Sequence, residues 1–283
     1  MSAAVETAAS PWTPRMQRAD ELRERHGFAA DLLTLYLALA PVQEDAWRIA
    51  RESPPPPAEL AEWAAARVLP HVVEATVAAA PAMLREAVVG RFGDDGIADS
   101  LAGWLAGREL EPVERYLARV SLAPVLEALG DQAGAACAPQ DGEGGLLCPR
   151  CGGLPQLSCV ADSGEDLVSG RRSLLCSRCG SSWDFTKSTC PACGESDEAR
   201  LVVFAETWGG PASANGDGDE ASPVVFPNLR IVSCESCSSY LIEVDLARDG
   251  RAVPEVDELA AVPLDLYAAD QGLTKVTPNL MGF

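Results

Sequence analysis

At 283 residues the chain is long enough for two domains, and its formal net charge of -20 repels a phosphate backbone, which argues against nucleic acid as a partner. A membrane span needs about eighteen uninterrupted apolar residues, and even the stretch from His71 to Leu84 is broken by Glu74 and Pro81, so none is expected. Ten cysteines with no basic-plus-apolar leader at the start of the sequence read as thiols in a reducing cytoplasm, not as a disulfide framework.

Residues 1–14 are small, polar and proline-containing, the composition of a flexible N-terminus. Residues 15–130 then carry helical periodicity throughout. Phe28, Leu32, Leu35, Leu39, Val42, Ala46 and Ile49 recur at steps of three and four, the stripe of a helix with one buried face, and Pro41 inside that stripe predicts a kink or a break. The Ser53-Pro54-Pro55-Pro56-Pro57 run is a rigid connector. Beyond it, helices are expected around Leu60 to Val72 with Pro70 as punctuation, from Val73 to Phe92 around Pro81, near Ile97 to Leu105, and from Pro112, which suits a first helical turn. His26 and His71 have no acidic or cysteine partner at ligand spacing and read as surface or packing residues. The acidic pairs Asp94-Asp95 and Asp219-Glu220 lie in glycine-rich turns, where solvent leaves carboxylates near their ordinary acidity.

Residues 131–145 are rich in Gly, Ala and acidic side chains and read as a linker, with Cys137 in it as a bystander thiol. The next segment, 146–245, carries the chemistry. Four Cys-x-x-Cys pairs occur there: Cys148/Cys151, Cys176/Cys179, Cys190/Cys193 and Cys234/Cys237. Two thiolates two residues apart reach one ion from a single tight turn, so two such knuckles supply a closed tetrahedral site and four supply two sites. Gly152, Gly180 and Gly194 follow the first three knuckles, where the turn calls for a positive φ, and Ser238 breaks the pattern at the fourth. Strand-like runs at Pro155–Val160, Ser173–Cys176, Trp183–Thr186, Leu201–Glu206, Leu229–Cys234 and Tyr240–Asp245 place the knuckles at hairpin turns. The order of the knuckles pairs the first with the second (148–179) and the third with the fourth (190–237), with a polar stretch at 209–223 looping out of the second module. Cys159, in an apolar run, reads as a small hydrophobe. Residues 246–283 form a C-terminal helix interrupted at Pro263 and a tail. The expected fold is therefore α+β and multidomain: an N-terminal all-α helical domain, two rubredoxin-like or zinc-ribbon-like modules, and a C-terminal helix.

Four thiolates suit zinc and iron alike. A dithiol redox role would want one pair opening a helix in a βαβ unit, and no such pattern surrounds any knuckle. Closed all-thiolate sites and two histidines leave no vacant metal position and no convergent acid, base and nucleophile, so no enzyme is expected. Protein binding is the main role left open. Apolar residues near the knuckles, Leu154, Trp183 and Phe185, can contact a partner if they face outward, or else pack between the two modules.

The runs Cys148-Pro-Arg-Cys-Gly-Gly-Leu-Pro, Cys176-Ser-Arg-Cys-Gly-Ser-Ser-Trp183, Cys190-Pro-Ala-Cys-Gly and Cys234-Glu-Ser-Cys-Ser-Ser-Tyr-Leu resemble those of the formate dehydrogenase accessory protein family known as FdhE. Asp257-Glu-Leu-Ala, Leu264-Asp-Leu, Asp270-Gln-Gly-Leu and the tail Pro278-Asn-Leu-Met-Gly-Phe283 are similar to that family's closing segments, so the resemblance covers nearly the whole chain. It implies a cytoplasmic assembly factor with two rubredoxin-like iron sites that contacts the catalytic subunit of formate dehydrogenase without oxidising formate. Lys187, Ser238 and the 40 residues between Cys193 and Cys234 depart from the family pattern. The rival reading is a zinc-ribbon structural adaptor, or another zinc-dependent protein with a different partner.

Overall fold

The computed structural model describes residues 10–93, 96–139, 145–161, 170–206, 224–280 and 282. Most of the expected N-terminal flexible segment, the Asp94-Asp95 pair and the 209–223 stretch with its Asp219-Glu220 pair lie outside them. The chain divides into two compact units, Met1–Ala136 and Cys137–Phe283.

In the first unit the apolar stripes become seven α-helices among the described residues: α1 (Trp12–Arg25), α2 (Ala30–Glu52), α3 (Leu60–Arg67), α4 (Leu69–Ala79), α5 (Ala82–Phe92), α6 (Ile97–Leu105) and α7 (Pro112–Leu129). Leu33, Leu35 and Leu39 of α2 and Leu117, Leu122 and Leu126 of α7 are fully buried, so these two long helices form the centre of the unit. Of the kink or break expected at Pro41, the break does not occur: α2 runs through it. Pro41 lies on an exposed face, where water can serve the carbonyl that lacks its helical donor, while buried Ala40, Ala46 and Trp47 hold the helix in place. A second helical proline, Pro124 in α7, is buried and lacks that outlet. Its missing N–H would have met Val120 O, and the Gln43 side chain of α2 supplies the donor instead, Nε2 to O at 3.1 Å. Pro70, Pro112 and the Pro81 break fall at helix starts, where their missing donors cost nothing. His26 is buried and His71 exposed, consistent with packing and surface roles. Part of the segment read from composition as linker, residues 131–136, lies in the 3-10 helix Gly130–Ala136.

The second unit is built on one sheet. Its strands are β1 (Pro155–Ala161), β2 (Arg171–Cys176), β3 (Ser182–Asp184), β4 (Leu201–Ala205), β5 (Leu229–Cys234), β6 (Ser239–Asp245) and β7 (Thr274–Lys275), with helices α8 (Pro254–Ala260) and α9 (Val262–Asp270) between the last two. The order is β3-β2-β1-β6-β5-β4, with β7 beside β6. Both predicted hairpin modules are present, and they share this sheet because β1 and β6 pair in parallel, Ser158 with Glu243 and Val160 with Asp245. Period-two alternation assigns the faces. Leu157, Cys159, Ile231, Tyr240, Ile242 and Val244 face one core together with Ala261, Leu264 and Ala268. Burial pushes the Cys159 thiol up to about 12, so it packs as an inert hydrophobe.

The other face holds a charge cluster. Glu243 accepts from Ser158 Oγ at 2.8 Å and pairs with Arg172 at 3.0 Å and Arg230 at 2.6 Å, which ties four strands together across the junction of the two modules. A second buried cluster fastens the chain's end. Lys275 of β7 meets Glu258 of α8 and, at 3.0 Å, Asp265 of α9; Tyr240 OH and Asn279 Nδ2 also donate to Asp265, and Gln156 donates to Glu258. All three charged groups are almost entirely removed from solvent.

Candidate metal centres

Each knuckle is a tight turn closed by the backbone. In the first, Cys148 N donates to Gly153 O at 2.8 Å and Gly152 N to Cys148 O at 2.9 Å; the second and third repeat this with Cys176, Ser181 and Gly180, and with Cys190, Glu195 and Gly194. The residue after the second cysteine takes the left-handed conformation in all four: φ is 67° at Gly152, 65° at Gly180, 75° at Gly194 and 55° at Ser238. The serine that departs from the glycine pattern thus adopts the glycine conformation, and it is the one non-glycine residue with positive φ among the described residues. Left-handed backbone costs a side-chain-bearing residue about 1–2 kcal/mol, and glycine gives part of that back through a freer unfolded chain. Ser238→Gly is therefore expected to stabilise the protein by no more than about 1 kcal/mol, and Ser238→Val to destabilise it clearly. Calorimetric unfolding checks this; equal stability of the two variants would mean that the fourth turn does not constrain φ.

The sheet register brings the knuckles together in pairs. Pro155 at the start of β1 pairs with Cys176 at the end of β2, so Cys148 and Cys151 meet Cys176 and Cys179. Leu201 at the start of β4 pairs with Cys234 at the end of β5, so Cys190 and Cys193 meet Cys234 and Cys237. In each group the four sulfurs lie within 4.8 Å of one another. Sulfur separations are 3.8 Å for Cys148–Cys179, 3.4 Å for Cys151–Cys176, and 3.8 Å for both Cys190–Cys237 and Cys193–Cys234. A metal–sulfur bond of about 2.3 Å at tetrahedral angles sets sulfurs about 3.8 Å apart, whereas a disulfide sets them about 2.05 Å apart. The donor set and its spacing thus fit one tetrahedral ion per group, and all eight cysteines are free thiols.

The two groups differ in surroundings. The first is fully buried. Ser181 Oγ lies 3.2 Å from Cys148 Sγ and 3.0 Å from Cys179 Sγ, and Arg178 N donates to Cys176 Sγ at 3.4 Å. Backbone crowds in as well: a Cβ on Gly153 would sit 2.9 Å from Cys176 Sγ, and one on Gly152 would sit 2.7 Å from Pro139 Cα. At the second group Cys190 and Cys234 are buried, Cys237 is half-buried and Cys193 is exposed.

Several of these groups carried no sequence signal. Arg178 lies inside a knuckle, yet its side chain is buried and its Nη1 donates to Ala138 O at 2.7 Å, drawing the 137–139 segment over the first centre. Cys137, read as a bystander, is brought by that contact against Cys151, which hydrogen-bonds it and lowers its pKa. The buried partners Glu243, Glu258 and Asp265 were invisible because their cations come from distant strands. Leu154, Trp183 and Phe185 are half-buried around the first module. Trp183 pairs with Leu174 on β2, and the Phe185 ring lies under the Arg172 guanidinium at 5.8 Å.

The fold and the two centres define a protein with a helical unit and a sheet unit organised by paired four-cysteine groups. No family model matches the chain. It is 34% identical over 136 residues to a Protein FdhE homolog of Aquifex aeolicus, covering 48% of this chain and 41% of that protein. It is 32% identical over 139 residues to one of Pseudomonas aeruginosa, covering 49% and 40%. The matched stretch therefore spans about two fifths of the length of these curated relatives. The crystal structure of the FdhE protein from Pseudomonas aeruginosa has the same fold, with a TM-score of 0.65 and 24% identity over 97% of this chain and 96% of that one. A likeness to FdhE is thus found in curated relatives, and the fold is that of a solved FdhE protein.

Proposed function

We propose that the chain is an accessory factor in formate dehydrogenase maturation: it binds the immature catalytic subunit, carries one iron ion in each four-cysteine centre, and does not itself oxidise formate. The observation that carries this reading is the pair of four-sulfur groups on a chain that follows the FdhE fold along nearly its whole length. The FdhE-named relatives support it. Iron would supply one-electron chemistry, and Cys148, Cys151, Cys176 and Cys179, with Cys190, Cys193, Cys234 and Cys237, would hold the two ions. Zinc in the same ligands would make both centres purely structural.

The protein works in the cytoplasm on this reading, where thiols stay reduced. No helix among the described residues is long and apolar enough to cross a membrane. The high negative charge disfavours nucleic acid and leaves a protein partner as the ligand. Leu154, Trp183 and Phe185 are the proposed contact surface, because each is an apolar residue left half-buried around the first module. Pull-down of the dehydrogenase subunit by the intact protein, together with dehydrogenase activity in cells lacking it, tests the reading. Capture and lost activity are expected. Normal activity with no capture would defeat the assembly role, while capture that survives Trp183→Ala would defeat only the proposed surface.

A further inference from the structure

Two centres with the same four ligands need not hold an ion equally firmly. Replacing a thiolate on a tetrahedral ion starts when an incoming donor reaches the metal between the sulfurs, so the rate depends on what covers them. At the first centre Cys148, Cys151, Cys176 and Cys179 are each 3% exposed or less. The 137–139 segment lies over it, pinned by the Arg178 bond to Ala138 O and by the fit of Pro139 against Gly152. Reaching the metal there requires lifting that segment and breaking a bond from a buried guanidinium. The second centre has only Cys190 and Cys234 inside. Its two knuckles are joined on the open side by Glu195, whose Oε2 accepts from Ser236 Oγ at 2.6 Å, a link between exposed groups that water competes with.

We propose that the second centre is the exchangeable one: its ion passes to a competing soft ligand through the side formed by Cys193 and Cys237, while the ion of the first centre stays. The step is a ligand exchange without electron transfer. The bond from metal to Cys193 Sγ breaks, a bond from metal to the incoming donor forms, and the released thiolate takes a proton from water. The inference rests on the reading of both groups as metal centres.

The full chain loaded with zinc and mixed with a chromogenic zinc chelator tests it. Two equivalents should leave in two phases, the first at least about tenfold faster than the second. Cys193→Ser should remove the fast phase alone. Alkylation after the fast phase, read by peptide mass spectrometry, should label Cys190, Cys193, Cys234 and Cys237 and spare Cys148, Cys151, Cys176 and Cys179, a result that does not depend on any variant folding. Two equivalents released in a single phase, or labelling of the first group before the second, would overturn the inference and leave the metal reading standing. A folded chain that takes up no zinc would defeat both.

Discussion

Cys176→Ser is expected to abolish the cooperative fold of the sheet unit and to leave the helical signal of the first unit in place. Cys176 ends β2, touches Cys151 Sγ at 3.4 Å and receives Arg178 N, so its sulfur joins the two knuckles of the first centre. Ion binding by four thiolates supplies about 10 kcal/mol or more of folding free energy in small metal domains. A domain's whole net stability is about 5–15 kcal/mol, so losing one ligand removes a term of the same size as the total. The apolar core around Leu157, Ile231 and Ile242 includes none of the eight knuckle cysteines. Far-ultraviolet circular dichroism with a two-dimensional amide spectrum reads the outcome. Retained sheet resonances in the variant would show that the metal is not a folding element, and loss of most helical signal would show that the two units fold as one.

The second large effect is expected at Lys275, far from the cysteines in sequence. Lys275→Met leaves Glu258 and Asp265 buried without their cation, and breaking such an arrangement from one side costs about 3–5 kcal/mol. Burial already raises Asp265 above its ordinary carboxylate value despite the ammonium beside it. A carboxyl raised in this way favours the fold most below its unfolded pKa and loses that advantage as pH rises through its folded one, so the deficit is largest at neutral pH. Neutralising the carboxylates too, in Lys275→Met with Glu258→Gln and Asp265→Asn, should recover much of the stability, since a hydrogen-bonded neutral cluster no longer buries unpaired charge. Thermal unfolding of the single and triple variants at pH 7 checks this. A single variant as stable as the parent would mean that the cluster is hydrated in solution.

The parts that sequence made legible are those with local causes. Helices followed from three-four spacing and strands from alternation, and the six strand runs fall within a few residues of β1 to β6. Cys-x-x-Cys is itself a local geometry, so the grouping of eight sulfurs into two fours could be read from knuckle order. What stayed hidden has non-local causes. The parallel pairing of β1 with β6 joins residues more than eighty positions apart, and nothing in either strand specifies its neighbour. Pro41 does not break its helix because a proline's effect depends on whether its helix face is wet, and Cys137, outside both four-cysteine groups, has a place near the first one that depends on Arg178. Ser238 is the reverse case, a broken motif whose backbone geometry is nonetheless kept.

The proposed centres hold two metal ions on eight thiolates. Metal analysis of protein purified without oxygen, joined to its visible spectrum after oxidation, tests this most directly. Two iron ions per chain with ferric–thiolate absorption are expected. Two colourless zinc ions would contradict the assignment of iron, and a folded chain with fewer than two ions would contradict the centres themselves.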